Sequence, residues 1–341
     1  MKRIVALLVT LLLPLLGMQG LSHAQPVKYA QAGMGFLKID VGGRAAMAGT
    51  QIGAKGDAMS VFYNPALLAQ AEGLQVMTSM TNWIADIKHY GTAASWNLGN
   101  LGTFGLSFIW MDYGELKRTI PYTGDDPTLR NQGYVDQGTF QVGEYCVGIG
   151  YARWISQQFA VGGHLKYAHQ DLGDVLIFDE VRGENRMQKN ALGNLAFDFG
   201  TLFYPGLGDF RFGFSLRNFS GQNDYYDQRF ELPLTATFGV AMDVLSLFSG
   251  SEGRNSRITV AMDWSHPRDY KERLHAGLEY SLADMIFLRG GYKFNYDEEG
   301  LTLGAGFRKD LAGFGVQVDY VYTDFGIFDS VQRFSIGLYK K

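Results

Sequence analysis

Residues 314–323 read FGVQVDYVYT, and apolar and polar side chains alternate along them. In an extended chain, Phe314, Val316 and Val318 lie on one side, whereas Gln317 and Asp319 lie on the other. Because successive side chains of a β-strand point to opposite faces, this period of two predicts a strand with one apolar and one polar face.

The same period recurs along most of the chain, and it predicts fourteen strands. They lie near residues 74–80, 90–98, 103–111, 141–153, 158–168, 194–204, 210–219, 234–243, 257–265, 273–280, 286–293, 301–308, 314–322 and 333–338. Backbone groups cannot remain unpaired in lipid, and an even number of antiparallel strands can close. The predicted fold is therefore all-β, a transmembrane 14-stranded antiparallel β-barrel.

A soluble sandwich would also alternate, but the residues on the two faces argue against it. The apolar face ends in Trp and Tyr residues near the predicted strand ends, among them Trp96, Trp110 and Tyr151. Aromatic girdles around an apolar band, with a polar interior, are typical of outer-membrane barrels. The charged residues that we expect to face the lumen are Lys166, Arg211, Arg273, Glu279, Arg289, Arg308 and Asp319.

Connections between the predicted strands alternate between long and short. Segments 112–140 and 169–193 are long, whereas 99–102 and 154–157 are short. Outer-membrane barrels have short periplasmic turns and long external loops, so the long segments are predicted to be external. Segment 244–256 is an exception, because it is a long connection on the predicted periplasmic side. We interpret it as a short helix.

The N-terminus has the pattern of an export signal. Residues 1–3 are MKR, residues 4–16 are apolar, and residues 22–24 (SHA) end in a small residue before the predicted cleavage point. We divide the chain into a signal peptide (1–24), an N-terminal hatch (25–73) and an outer-membrane β-barrel (74–341). The predicted location is the outer membrane of a Gram-negative-type bacterium.

Charge and cysteine content exclude several classes of function. Thirty basic residues against 34 acidic ones leave a formal net charge of −4, which argues against a nucleic-acid partner. Cys146 is the only cysteine, so neither an internal disulfide nor a thiolate metal site can form. The histidines show no metal-ligand spacing, and no Ser-His-Asp arrangement can be assembled from the predicted strands. We expect no enzyme activity, no metal and no cofactor.

The segment that precedes the first strand does not alternate and is mostly small and apolar. A closed fourteen-stranded barrel is wide enough to leave an open channel unless something fills it. We therefore expect residues 25–73 to fill the lumen as a hatch. Asn64 and Pro65 form a turn signal that would lie where this hatch meets the wall.

Residues 36–69, FLKIDVGGRAAMAGTQIGAKGDAMSVFYNPALLA, resemble the N-terminal signature of the PorV/PorQ family, part of the wider FadL-like superfamily. That signature runs aromatic-Leu-x-Ile, Arg-Ala, a Met/Gly turn, Asp-Ala-x-Ser and aromatic-Asn-Pro-Ala. The matching residues are Phe36, Leu37, Ile39, Arg44, Ala45, Asp57, Ala58, Ser60, Tyr63, Asn64, Pro65 and Ala66. The chain departs from the family pattern in the spacing of Met47 and Gly49, and in its last residues, which are Lys rather than aromatic.

The resemblance implies a fourteen-stranded barrel with an N-terminal hatch and assigns hatch or gating roles. The residues concerned are Arg44, Asp57, Tyr63, Asn64, Pro65 and Ala66. It also implies a PorV-type function, the binding or handing over of exported proteins of the type IX secretion system. The implied partners are outer-membrane lipid, exported proteins with C-terminal sorting domains and other secretion-system subunits.

A FadL-like channel for hydrophobic small molecules is the alternative function. Two features favour the secretion function over it. A hydrophobic solute makes little use of a charged lumen, and the long segments 112–140 and 169–193 suit a protein-docking surface.

Overall fold

The computed structural model of the chain describes residues 32–179, 183–225, 228–247 and 255–340. The predicted signal peptide (1–24) and the first part of the predicted hatch (25–31) lie outside these residues.

Within the described residues, eighteen strands are numbered here in chain order. The barrel strands are β1 (Leu74–Asn82), β2 (Lys88–Asn97), β3 (Thr103–Asp112), β6 (Gly143–Trp154), β7 (Phe159–Asp179), β8 (Glu184–Phe203), β9 (Arg211–Ser220), β12 (Thr235–Asp243), β13 (Ser256–Pro267), β14 (Arg273–Leu282), β15 (Ile286–Phe294), β16 (Leu301–Leu311), β17 (Phe314–Asp324) and β18 (Ser330–Lys340). Two small sheets are formed by β4 (Leu116–Pro121) with β5 (Tyr134–Phe140), and by β10 (Asn223–Tyr225) with β11 (Gln228–Phe230).

The fourteen barrel strands form one closed antiparallel sheet, as the alternation predicts. Each pairs with the next barrel strand along the chain, and β18 returns to pair with β1, with Leu74 opposite Lys340. Closure leaves no sheet edge, so every strand has two ladder partners.

Side-chain exposure alternates as the sequence predicts. On β3, Leu106 is 60% exposed, whereas its neighbours Ser107 and Ile109 are buried and point inward. The outward aromatic residues Trp96 and Tyr151 lie near the short-turn end of their strands, and Trp110 lies near the long-loop end. The outer surface is therefore an apolar band with aromatic residues towards both rims.

The two long external segments contain more regular structure than the sequence predicts. Segment 169–193 is mostly strand, because β7 and β8 run for 21 and 20 residues and form one continuous hairpin. Segment 112–140 contains the β4–β5 hairpin and a short helix, α1 (Pro127–Gln132). The Arg118 guanidinium of β4 donates to the Asp174 carbonyl of β7 at 2.7 Å, which ties the two hairpins together.

The described part of the N-terminal segment, residues 32–73, consists of short 3₁₀ turns joined by irregular chain. These turns are Gly35–Lys38, Gly43–Met47, Ala58–Phe62 and Pro65–Gln70. The second contacts β14 to β18, the third contacts β1 to β3, and the fourth contacts β3 and β6 to β8. The segment thus touches the inward-facing side of strands all round the barrel.

The connection after β12 begins with a 3₁₀ turn, Val244–Leu247, and residues 248–254 lie outside the described part of the chain. The predicted short helix is therefore seen only at its start. No helix among the described residues is both long enough and apolar enough to cross a membrane.

Two leucines that differ in depth test the outward-facing assignment. Leu106 lies in mid-strand and Leu207 lies in a short turn, with exposed fractions of 60% and 64%. We expect Leu106→Arg to lower the unfolding free energy by about 2–4 kcal/mol and Leu207→Arg by about 0–1 kcal/mol, because charge is costly only at the bilayer centre. Reversible urea unfolding in vesicles measures both. Equal losses would show that Leu106 does not face lipid.

Candidate functional site

The Asn64 side chain joins the N-terminal segment to the barrel wall. Its amide nitrogen donates to the Thr201 carbonyl of β8 at 3.0 Å and to the Gln51 side chain at 2.9 Å. Its oxygen accepts from the Ala66 N–H at 3.0 Å and so caps the turn that begins at Pro65. The predicted Asn-Pro turn therefore lies where the segment meets the wall.

The backbone at this turn lies so close to β7 that only glycine fits opposite it. A Cβ atom added to Gly162 would lie 2.5 Å from the Pro65 carbonyl carbon and the Ala66 nitrogen. On β8, a Cβ atom at Gly200 would lie 2.0 Å from the Asn64 side-chain oxygen. Inward-facing glycines thus provide the space that the segment occupies.

Arg44 binds within the N-terminal segment rather than to a wall carboxylate. Its buried guanidinium donates to the carbonyls of Ala54 and Lys55 at 3.1 and 2.6 Å, and to the Ser60 hydroxyl at 2.8 Å. The Asp57 carboxylate lies 3.5 Å away, and the Asp57 N–H donates to Ser60. These contacts hold two 3₁₀ turns of the segment together.

Tyr63 fixes a third point of the segment. Its hydroxyl accepts from the Val41 N–H at 2.9 Å and donates to the Val41 carbonyl at 2.8 Å. All six residues to which the resemblance assigns hatch or gating roles therefore contact other residues of the N-terminal segment or the barrel wall.

Five of the seven charged residues predicted to face the lumen are buried, and one of them binds the N-terminal segment. Arg211 donates to the carbonyls of Ile52 and Gly53 at 3.0 and 2.9 Å. On β15, Arg289 pairs with Glu279 at 2.7 Å and with Asp319 at 2.5 Å. Burial without partners would be costly for these ions, so their pairing explains how they are tolerated.

Two of the other predicted bases, Arg273 and Arg308, contact aromatic rings. The Arg273 guanidinium lies 4.4 Å from the Tyr270 ring centre and 3.9 Å from that of Tyr296. Arg308 lies 3.9 Å from the Tyr339 ring centre. Both have cation–π geometry.

Ion pairs also connect the N-terminal segment to the long-loop end of the barrel. Lys38 pairs with Asp269 at 2.8 Å, and Asp40 pairs with Lys293 at 2.7 Å. Burial alone would raise the pKa of Asp40, but the charges of Lys293 and Arg333 lower it to about 2. Asp40 is consequently a carboxylate at neutral pH.

The wall between β3 and β8 carries a Ser–His–Asp chain, contrary to the expectation that none could be assembled. Ser107 Oγ lies 2.8 Å from His164 Nε2, and His164 Nδ1 lies 3.0 Å from Asp198 Oδ2. Lys166 pairs with the same carboxylate oxygen at 2.7 Å. The strand positions did not reveal this chain because the Ser107–His164 bond crosses over β6 at Gly148, where a Cβ atom would lie 2.3 Å from His164 Nε2.

This hydrogen-bond order matches that of a serine nucleophile, a histidine base and an orienting carboxylate. Hydrolysis also requires space for a substrate beside the serine. Ser107 and His164 face a cavity of about 20 Å³, which has room for about one water molecule and none for an acyl substrate. We therefore assign the chain a structural role in the lumen wall.

An apolar cluster lies beside this cavity, in the long-loop half of the lumen. Phe36 and Leu37 of the N-terminal segment pack against Ile109, Met111 and Cys146 of the wall. The alternation of apolar and polar residues did not predict this cluster, because that pattern treats the inward face as polar. A signal was present: residues 108–111 read FIWM, which is apolar on both faces of β3. Among the described residues, no group of His, Cys, Asp and Glu side chains is arranged to hold a metal ion.

Comparison with solved structures identifies the class of barrel. The fold is similar to that of a FadL homologue of Pseudomonas aeruginosa (TM-score 0.55, 11% identity, covering 88% of this chain and 98% of that one). It is also similar to the toluene transporter TodX of Pseudomonas putida (TM-score 0.54, 11% identity, 92% and 98%). The toluene transporter TbuX of Ralstonia pickettii gives a TM-score of 0.52 at 13% identity, with 89% and 97% covered.

These similarities show a FadL-like fold, and they confirm the predicted fold class, a closed fourteen-stranded antiparallel β-barrel. The three neighbours are transporters or transporter homologues and not enzymes. No protein-family model matches the chain, and no curated protein matches it in sequence. The finer resemblance to the PorV/PorQ family therefore has no support from these comparisons.

Two adjacent glycines of β7 test the close approach at the Asn64 turn. Gly162→Ala places a methyl group against backbone atoms of the N-terminal segment, which must move at a cost of about 1–3 kcal/mol. Gly163→Ala is the matched control, because its methyl group would meet only the Phe197 ring at 3.1 Å on the outer face. We expect Gly162→Ala alone to raise single-channel conductance in planar bilayers. Unchanged conductance in a correctly assembled Gly162→Ala barrel would contradict this arrangement.

Proposed function

We propose that the protein is an outer-membrane channel for hydrophobic small molecules. The observation that carries this proposal is the apolar cluster in the long-loop half of the lumen, where Phe36 and Leu37 face Ile109, Met111 and Cys146. A hydrophobic solute that enters from the external side would meet this surface first. The fold is that of barrels whose described members include toluene transporters.

The inward bases do not argue against such a solute, because they are already engaged. Lys166 is paired with Asp198, Arg289 with Glu279 and Asp319, and Lys293 with Asp40. Arg211 donates to carbonyls of the N-terminal segment. The charged lumen therefore no longer favours the secretion function over the channel.

The N-terminal segment acts as the hatch of this channel. In the structure the cavity beside the apolar cluster has about 20 Å³, far below the roughly 300 Å³ of a small-molecule pocket. Passage therefore requires displacement of residues 34–41, which form one side of the cavity. These residues are held by the ion pairs at Lys38 and Asp40 and by the Tyr63 bonds to Val41.

An uptake assay with two matched variants tests the channel. Ile109→Asn introduces an amide into the apolar cluster, and an unpaired amide on the solute path should reduce uptake about tenfold or more. Val321→Asn is the control, since Val321 is also buried and inward-facing but packs against Ala45 and Ala46 on another wall. Uptake of radiolabelled toluene by cells that express each variant measures the difference. Equal uptake by cells with and without the wild-type protein would overturn the proposal.

A second candidate function is the handing over of exported proteins. Its support is the resemblance of residues 36–69 to the PorV/PorQ signature, together with the β4–β5 and β7–β8 hairpins that extend beyond the barrel. These hairpins expose Ile120, Tyr134 and Met187, which offer apolar contacts to a partner protein.

Removing the β4–β5 hairpin separates the two candidates. Replacing residues 115–141 with a short Gly-Ser turn should leave the barrel assembled, because these residues lie outside the closed sheet. If the protein hands over exported proteins, the variant should lose co-purification with proteins that bear a C-terminal sorting domain. If it is only a channel, toluene uptake should be retained and no such protein should co-purify with the wild type.

A further inference from the structure

An open cavity of about 230 Å³ lies at the short-turn end of the barrel, between the β2–β3 turn and the end of β6. Asn97, Asn100 and Thr103 line one side, and Arg153 and Trp154 line the other. No carboxylate lines it, so Arg153 gives the cavity a positive charge.

Arg153 lies at the depth of lipid head groups. It follows Ile149 and Tyr151 on the outward face of β6, where these residues are 59% and 39% exposed. Two residues of strand carry Arg153 about 7 Å beyond Tyr151. Tyr151 belongs to the outward aromatic residues that mark the edge of the hydrocarbon core, and the head-group region beyond that edge is about 5–7 Å thick, so we place the guanidinium within it.

The polar groups available in this cavity are few and unpaired. Within the described residues, the side chains of Arg153 and Asn100 form no hydrogen bond or ion pair. Asn97 is engaged with Ala71 and Gly99, and the Trp154 indole N–H donates to the Ala69 carbonyl at 2.9 Å. A guanidinium without a partner, beside a free amide, has the donors that a phosphodiester requires.

Exposed aliphatic side chains lie on both sides of the cavity. Leu101 in the β2–β3 turn is 69% exposed, and Ile155 in the β6–β7 turn is 62% exposed. Both continue the outward apolar surface of the barrel, which contacts acyl chains. The cavity therefore has a cationic centre with hydrocarbon-compatible surfaces beside it.

We infer that this cavity binds the head group of an anionic phospholipid of the periplasmic leaflet. Arg153 pairs with the phosphodiester, Asn100 donates to head-group oxygens, and Leu101 and Ile155 contact the acyl chains. Because Ala69 lines the cavity and accepts from Trp154, the bound lipid lies against the last turn of the N-terminal segment.

Native mass spectrometry of the full chain in detergent tests this site, with equimolar phosphatidylglycerol and phosphatidylcholine added. The wild type should retain phosphatidylglycerol about tenfold more than phosphatidylcholine, because the choline cation neutralises the phosphodiester with which Arg153 pairs. Arg153→Gln should abolish this preference. Lys309→Gln is the matched control, since Lys309 is also an exposed cation near the short-turn end of its strand but does not line this cavity, and it should leave the preference intact.

Three results would overturn the inference. Wild-type protein without preference for phosphatidylglycerol would do so whatever the variants show. Equal loss in Arg153→Gln and Lys309→Gln would indicate a general effect of rim charge. Displacement of phosphatidylglycerol by millimolar inorganic phosphate would show that the cavity takes a free anion rather than a lipid. Unchanged heat-modifiable mobility on gels confirms that each variant barrel is assembled.

Discussion

The lumen is organised by the need to pair the backbone carbonyls of a segment that has little regular structure. Residues 32–73 form only short 3₁₀ turns, which leave many carbonyls without an internal donor, and a buried unpaired carbonyl is costly. Long basic side chains supply the donors. Arg44 binds the carbonyls of Ala54 and Lys55, and Arg211 binds those of Ile52 and Gly53. Arg217 and Arg333 reach the carbonyls of Phe62 and Asp40 in the same way. These four arginines are thus ligands for the protein's own backbone.

The alternation of the sequence was sufficient to predict the wall, because lipid outside and a packed segment inside impose opposite chemistry on the two faces of each strand. All fourteen strands and their order were predicted in this way. The pattern fails in 169–193, where β7 and β8 rise beyond the membrane and water contacts both faces, so no period of two is imposed. The positions of Asn64 and Arg44 were indicated by the motif. The Ser107–His164 contact could not be predicted, since it depends on the register of three strands and on the small size of Gly148.

Charge and apolar surface lie side by side at the long-loop end of the lumen. The ion pairs of Lys38 and Asp40 lie there, and so does the apolar cluster, beside a cavity that Lys166, Asp198 and Arg217 also line. In the proposed channel, an entering solute would therefore meet both kinds of surface. Opening such a channel exchanges ion pairs at Lys38 and Asp40 for hydrated ions, so its energetic barrier is electrostatic, whereas the affinity for the solute is hydrophobic.

The pairing of β1 with β18 has a consequence for biogenesis. These strands are separated by almost the whole barrel sequence, and Leu74 meets Lys340 only after every other strand has been added. Residues 32–73 are enclosed by the sheet that this seam completes. Their enclosure therefore depends on a contact of very high sequence separation, which is the slowest kind to form.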